Sequence, residues 1–242
     1  GCDTILTQMA ADCLDCPMEN ISVRGVDTDQ SPYDCGSYAS STTYVTGMAV
    51  VKACAQLREK ILAQGAKMLD VPAESAEFDG KRVFVPGTDR EVSLSAIGYA
   101  SFEGHARCIS ACESHSSPVS PPPMMVGMAE IDLDPETGKI QLVDYVAAVD
   151  CGTVVNKNLA RVQTEGGIVQ GIGMALYEDI QYTKAGRMMN DSFLQYRIPT
   201  RLEAGTIRVE FESSYEPSGP FGAKSIGELV INTPAPAILG AI

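Results

Sequence analysis

Between Gly219 and Glu228 the chain reads Gly-Pro-Phe-Gly-Ala-Lys-Ser-Ile-Gly-Glu, and no other stretch narrows the choice of fold as far. Three glycines and a proline in ten residues exclude a helix or a central strand. Glycine admits positive φ and close backbone approach, while proline lacks an N–H donor. The segment is a shaped loop that ends in one carboxylate, Glu228. It leads into Asn232-Thr233-Pro234-Ala235, where Thr233 is placed to cap a helix whose first turn holds Pro234. A glycine loop that sets an acid beside a helix start suits a bound anionic cofactor with a base next to it, although Gly-Pro-Phe-Gly also makes plain turns.

A second stretch has the same character. Residues 33–47 are dense in glycine, alanine and hydroxyls, and they run directly into a helical pattern from Lys52 to Met68 with Leu57, Ile61 and Leu62 on its apolar side. Small residues feeding a helix start present backbone N–H groups and hydroxyl donors, which suits an anion. Tight packing of the helix start through small side chains explains the same residues equally well. No Gly-x-Ser-x-Gly elbow is present to support a serine nucleophile, and the nearest histidine, His105, carries no sign of pairing.

A third stretch is a helix from about Asn158 to Leu176 that contains Gly166-Gly167 and Gly171-x-Gly173. Each interior glycine weakens a helix by about 1 kcal/mol relative to alanine. Their presence implies close approach by another backbone or by a ligand. Gln163 and Gln170 fall on roughly one face of it, suited to a polar heterocycle or simply to solvent.

The other elements follow from periodicity. Residues 3–16 form a helix with Asp3 as its cap and Pro17 beyond its end. Residues 21–26 alternate as a strand, and residues 77–85 form a hairpin turning at Asp79-Gly80. Ser93 caps a short helix over 95–102. Residues 124–132 and 139–149 form a hairpin about Asp134-Pro135-Glu136-Thr137-Gly138. Further strands are expected near Ile180-Gln181-Tyr182, over 190–197 and over 206–214. The stretch 105–123, with serines and three consecutive prolines, reads as an extended crossing segment. The fold expected is α+β, with two subregions over 1–104 and 124–242, each pairing a long helix with mixed or antiparallel strands. With Gly1-Cys2 at one edge and Ile242 inside a helical pattern at the other, the chain reads as a piece of a longer polypeptide.

The balance of 31 acidic against 18 basic residues, a formal charge of −13, argues against a nucleic acid or an anionic membrane as partner. No apolar run reaches the roughly 18 residues of a spanning helix, so a soluble, cytoplasmic protein is expected. Eight cysteines in 242 residues are too sparse for a disulfide scaffold. Cys13-Leu14-Asp15-Cys16 and Cys108 with Cys112 have loose metal spacing but no adjacent histidine, and are read as incidental thiols.

Taken in order, Gly1-Cys2-Asp3-Thr4, Gln8-Met9-Ala10-Ala11, Asp27-Thr28-Asp29, Gly36-Ser37-Tyr38-Ala39-Ser40, Thr43-Tyr44-Val45-Thr46-Gly47, Asp150-Cys151-Gly152, Gln163-Thr164-Glu165-Gly166-Gly167, Gln170-Gly171-Ile172-Gly173 and the 219–228 loop resemble the molybdenum hydroxylases. This is the xanthine dehydrogenase and aldehyde oxidase family, and the match is to the C-terminal part of the molybdopterin-binding subunit, in the manner of bacterial xanthine dehydrogenases. The resemblance implies a cofactor-binding set of Gly36, Ser37, Tyr38, Ala39, Ser40, Ser41, Gln163 and Gly227, with the backbone of Ala39 against the metal. It also implies that Glu228 is the active-site base, held at a glycine-lined edge where burial raises its pKa.

The implied cofactor is molybdopterin, alone or as its cytosine dinucleotide, with iron-sulfur centres and FAD on other domains or subunits. The implied reaction is hydroxylation of an N-heterocycle such as xanthine or hypoxanthine with oxygen from water, in an enzyme that is oligomeric when intact. The remaining cofactor contacts lie upstream of Gly1 in such a subunit, so the isolated fragment is expected to be inactive. Aldehyde or nicotinate hydroxylation is the alternative within the family. A non-catalytic scaffold that docks the iron-sulfur and flavin partners is the alternative outside catalysis, and a phosphate-binding protein is a weaker one, since no P-loop lysine pattern occurs.

Overall fold

A computed structural model describes residues 1–25, 27–29, 31–103 and 108–242. The described chain divides into two units. The first holds Gly1–Gly36 with Thr42–Pro118, and the second holds Val119–Ile242 together with the pentapeptide Ser37–Ser41.

In the first unit, α1 (Cys2–Leu14) starts at Gly1, so Asp3 lies inside the first turn rather than capping it. The helix ends through Asp15 in the left-handed region at φ 56°, ahead of Pro17. Residues 21–25 are irregular, not the strand expected there, and Val26 lies outside the described residues. A π turn over Thr42–Thr46 enters the long α2 (Gly47–Met68). There, buried Tyr44 shares a hydrogen bond with Ser117, Oη to Oγ, at 2.9 Å. Short strands β1 (Glu77–Phe78), β2 (Arg82–Phe84) and β3 (Glu91–Ser93) form an antiparallel sheet. Ile61, Ala66, Phe78, Val83 and Ile97 make the core beneath it. Ser93 accepts the Ala96 N–H at 3.2 Å, as a cap of α3 (Leu94–Glu103) should.

The second unit is built on the long hairpin β4 (Met124–Leu133) and β5 (Ile140–Asp150). Its turn is organised by Asp134, whose carboxylate accepts the Glu136 and Thr137 N–H groups. Asn156 then caps α4 (Lys157–Leu176), accepting the Leu159 N–H at 3.0 Å. β6 (Thr206–Phe211) pairs parallel to β5, so the sheet order is β4-β5-β6 and α4 belongs to the crossover between β5 and β6. Tyr145, Ala147, Val149, Ile168, Ile172 and Ile238 fill the core between the sheet and the helices.

Residues 180–182 and 190–197 do not form the strands their alternation suggests; only an isolated bridge, Tyr182 to Met188, is present. Asn190 takes over the local hydrogen bonding, accepting the Gln181 N–H at 3.0 Å and donating to the Asp179 carbonyl at 2.5 Å. Local side-chain bonds of this kind compete with a ladder. The short α5 (Leu229–Asn232) and α6 (Pro234–Ala241) close the unit. Thr233 stands at the cap position of α6 but makes no side-chain cap; its hydroxyl accepts from Tyr145 Oη at 2.7 Å instead. The fold is α+β, with a long helix and a small sheet in each unit.

The α4 glycines answer a packing demand. A β-carbon on Gly167 would lie 2.1 Å from Val230 Cγ2, and one on Gly171 would lie 2.8 Å from the Ile231 carbonyl oxygen. Those helix-interior glycines therefore admit another backbone, that of α5 and the turn after it. Gly166, one residue away, faces open space.

Candidate active site

Five of the residues expected at the site, Ser37 to Ser41, make up one pentapeptide. Tyr38–Ser40 form a 3-10 turn, closed by Ser40 N–H to the Ser37 carbonyl at 3.1 Å and Ser41 N–H to the Tyr38 carbonyl at 3.1 Å. Ala39 and Ser40 both adopt left-handed φ, 51° and 54°. That conformation costs a residue with a β-carbon roughly 1–2 kcal/mol. Two in succession, neither of them Gly, Asn or Asp, are strain that persists only where the surroundings over-determine it, and such strain gathers at ligand sites. Tyr38 and Ala39 are exposed, Ser40 and Ser41 half-buried. Gly36, at φ 98°, belongs to the first unit and precedes the turn.

The second edge is α4. Gln163 projects from its exposed side, and the neighbouring Thr164 is buried with its hydroxyl donated back to the Ala160 carbonyl at 2.9 Å. Gln170 is also exposed.

The third edge is the 219–228 loop. Pro220–Gly222 make a 3-10 turn with Phe221 at φ 54°. The loop is then stitched to the end of β5: Thr153 N–H donates to the Gly222 carbonyl and Lys224 N–H to the Cys151 carbonyl, both at 2.8 Å. Lys224 Nζ lies 2.6 Å from Asp150 Oδ2, with both side chains nearly buried. Burial pushes the Asp150 carboxyl up, but hydrogen bonds from Lys224, Ser214 and Gly152 outweigh it and hold it below the usual carboxylate range. The adjoining Cys151 thiol is pushed up to about 11, first by burial and then by the Asp150 charge.

These edges meet at Gly227. A β-carbon there would lie 2.6 Å from Ser40 Oγ, 2.9 Å from Ser40 Cβ and 3.8 Å from Gln163 Nε2. Ser40, Gln163 and Gly227 thus surround one point within the second unit, and Glu228 is the next residue. Glu228 occupies the cap position of α5, where its carbonyl accepts the Ile231 N–H at 3.3 Å but its side chain makes no capping hydrogen bond. Its side chain is exposed, so the buried acid expected from the glycine-rich surroundings is not what this chain presents.

Asp150, Ser214 and Lys224 were not expected as a group. Asp150-Cys151-Gly152 and Lys224 stand out as motif text, but the residues that pair are far apart in the chain, and no local spacing reveals them. Among the described residues no three of His, Cys, Asp and Glu gather to hold a metal ion, all eight cysteines are free thiols, and no helix is long and apolar enough to cross a membrane. His105 lies outside the described residues.

Residues 1–204 match the family described as molybdopterin cofactor-binding domain. The chain belongs to the molybdenum hydroxylases. It is similar to the probable hypoxanthine oxidase XdhD of Escherichia coli (strain K12), 37% identical over 247 residues, which covers 100% of this chain and 25% of that protein. It is also similar to the 6-hydroxypseudooxynicotine dehydrogenase complex subunit gamma of Paenarthrobacter nicotinovorans, 32% identical over 249 residues, 100% of this chain and 31% of that one. Among solved structures, reconstituted CO dehydrogenase from Oligotropha carboxidovorans superposes with a TM-score of 0.87 at 26% identity, covering 99% of this chain and 30% of its own. The chain therefore spans about a quarter to a third of the relatives it matches.

These residues fit a molybdenum cofactor. An exposed, strained turn with serine hydroxyls, a glutamine amide and a glycine that leaves no room for a side chain form an edge that can approach an anionic pterin closely.

Proposed function

We propose that the hydroxylase chain supplies one side of a molybdenum-cofactor site and its catalytic base, in an intact enzyme that hydroxylates a purine-type N-heterocycle. The observation that carries this is the meeting of Ser40, Gln163 and Gly227 at one point, followed directly by a carboxylate not used as a helix cap. When bound, the cofactor supplies the two-electron oxidation and handles the oxygen that derives from water.

The chain's own residues do the rest. The 36–41 turn, with Gly36, Ser37, Tyr38, Ala39, Ser40 and Ser41, would hold the cofactor, and the backbone of Ala39 would serve the metal. Gln163 donates its amide N–H to the pterin, and Gly227 lets the main chain approach. Glu228 would be the base, its carboxylate taking up the proton released by the water-derived hydroxyl whose oxygen goes to the substrate carbon. The molybdopterin is present alone or as a cytosine dinucleotide. Electrons leave through iron-sulfur and FAD partners in an oligomeric, cytoplasmic enzyme.

The purine preference rests on the 37% identity to a protein named for hypoxanthine oxidation. A nicotine-type heterocycle is the second reading, favoured by the 32% identity to a subunit named for 6-hydroxypseudooxynicotine. The test is Glu228→Gln in the intact subunit. Molybdenum content stays at the wild-type level while turnover falls by about 10²–10⁴; retained turnover removes Glu228 from the base role. A panel of purines, nicotine derivatives and aldehydes separates the substrate readings. A wild-type subunit that binds no cofactor in equilibrium dialysis would leave only a scaffold role.

A further inference from the structure

The loop that carries Gly227 and Glu228 is fixed on one side by a nearly buried ion pair and on the other by a buried valine. Asp150 and Lys224 side chains are 15% and 10% exposed. Every donor to the carboxylate comes from a different part of the unit. Oδ2 accepts from Lys224 Nζ at 2.6 Å, and Oδ1 accepts from Ser214 Oγ at 2.5 Å and from Gly152 N–H at 3.0 Å. The ammonium also reaches the Pro122 carbonyl at 3.4 Å. Beside the pair, Gly152 and Ala223 bridge antiparallel, so the main chain of 222–224 is held to 151–153. Beyond it, Val230 is wholly buried against the glycine face of α4. Ser225, Ile226, Gly227 and Glu228 lie between these two anchors, with Ile226 half-buried against the core of the unit.

We propose that Asp150 and Lys224 are a positioning pair, whose task is to set residues 225–228 against Ser40 and Gln163 and so to fix where the Glu228 carboxylate stands. The inference deepens the catalytic reading of Glu228 and rests on it. A buried ion pair adds little net stability compared with apolar side chains of similar size, because desolvation opposes the attraction. What it supplies is direction: an ammonium that must meet one carboxylate oxygen holds the loop in a single register, which apolar packing would not. A base displaced by about 1 Å can lower turnover by about a hundredfold.

The test uses the full-length protein and two variants. Asp150→Asn combined with Lys224→Met removes both charges, leaves no orphan ion, and keeps an acceptor for Gly152 and Ser214. Lys224→Arg keeps the charge pair. Amide hydrogen exchange is followed across 219–228 and across the β4–β5 hairpin, with molybdenum content, kcat and KM measured on the same preparations. In the neutral double variant, exchange at 225–228 rises about tenfold with the hairpin unchanged. Molybdenum content and KM hold, and kcat falls about a hundredfold. Lys224→Arg recovers most of the kcat.

Wild-type exchange in the loop together with wild-type kcat overturns the proposal. So does a rise in exchange shared equally by loop and hairpin, which would make the pair a general stabiliser. A wild-type protein without molybdenum overturns the catalytic reading of Glu228 instead, and the exchange comparison then still supports or overturns the pinning of the loop.

Discussion

Ser40 and Gly227 fit together only because position 227 has no side chain: a β-carbon there would come within 2.6 Å of the Ser40 hydroxyl oxygen and 2.9 Å of its β-carbon. Gly227 is not at positive φ, so the constraint is contact rather than backbone conformation. In the intact subunit Gly227→Ala is expected to push the Ser40 turn away and lower turnover by about a hundredfold. Adding Ser40→Gly removes both clashing atoms at a position already in the left-handed region, and is expected to return cofactor content toward wild type. Molybdenum per subunit and kcat, measured for both proteins, check this.

Adjacent glycines in α4 should respond with opposite sign. Gly166→Ala enters open space on a helix and is expected to raise stability by about 0.5–1 kcal/mol. Gly167→Ala drives a methyl into Val230 and is expected to lower it by about 1–3 kcal/mol. Urea midpoints of the two variants give the comparison directly.

Acid should loosen the Asp150–Lys224 pair below the ordinary carboxylate range. Because the folded carboxyl is held low, the unfolded chain binds the proton more readily there, so stability rises with pH. The contribution is complete above the unfolded value of about 3.9 and fades as pH falls through the lower folded one. Asp144, Glu203 and Glu216 are also held low and fade in the same window. The neutral Asp150→Asn/Lys224→Met protein is therefore expected to lose less stability than wild type between pH 5 and pH 2, though not none. Thermal melts across that range measure the difference.

Thiol reactivity should divide by burial. Cys54, pushed up to about 11 by burial and then by the neighbouring Cys13 and Cys16, and Cys151, at about the same value, carry almost no thiolate at pH 8. Cys2, Cys35, Cys108 and Cys112 are exposed. Iodoacetamide is expected to label those four in the native chain and to reach Cys54 and Cys151 only after denaturation, as peptide mass spectrometry would record. Native labelling of Cys151 would contradict the closed turn at the end of β5.

The Ser93 cap of α3, the glycine face of α4 and the Asp134 turn of the β4–β5 hairpin are local patterns, each readable from a few neighbouring residues. The strand expected over 180–182 failed where Asn190 takes the Gln181 N–H and the Asp179 carbonyl, and the one over 190–197 where the Ser192 carbonyl accepts the Gln195 and Tyr196 N–H groups in a turn. Thr233 has the residue type of a cap, but Tyr145, remote in sequence, claims its hydroxyl. The Asp150–Lys224 pair was invisible for the same reason: its partners become neighbours only once β5, α4 and β6 have been laid down. Glu228 was legible as a carboxylate at a glycine loop, whereas its exposure depends on what surrounds it in three dimensions.

The assignment of Ser37–Ser41 to the second unit has a consequence for biosynthesis. On a ribosome adding roughly 5–20 residues per second, this turn emerges on the order of ten seconds before Gly227 does. During that interval its two left-handed residues lack the neighbours that Gly227 later supplies, and only the turn's own hydrogen bonds act on them. If the turn holds the cofactor as proposed, loading would wait until translation has passed the 219–228 loop, and a nascent chain stalled before it would be a poor recipient.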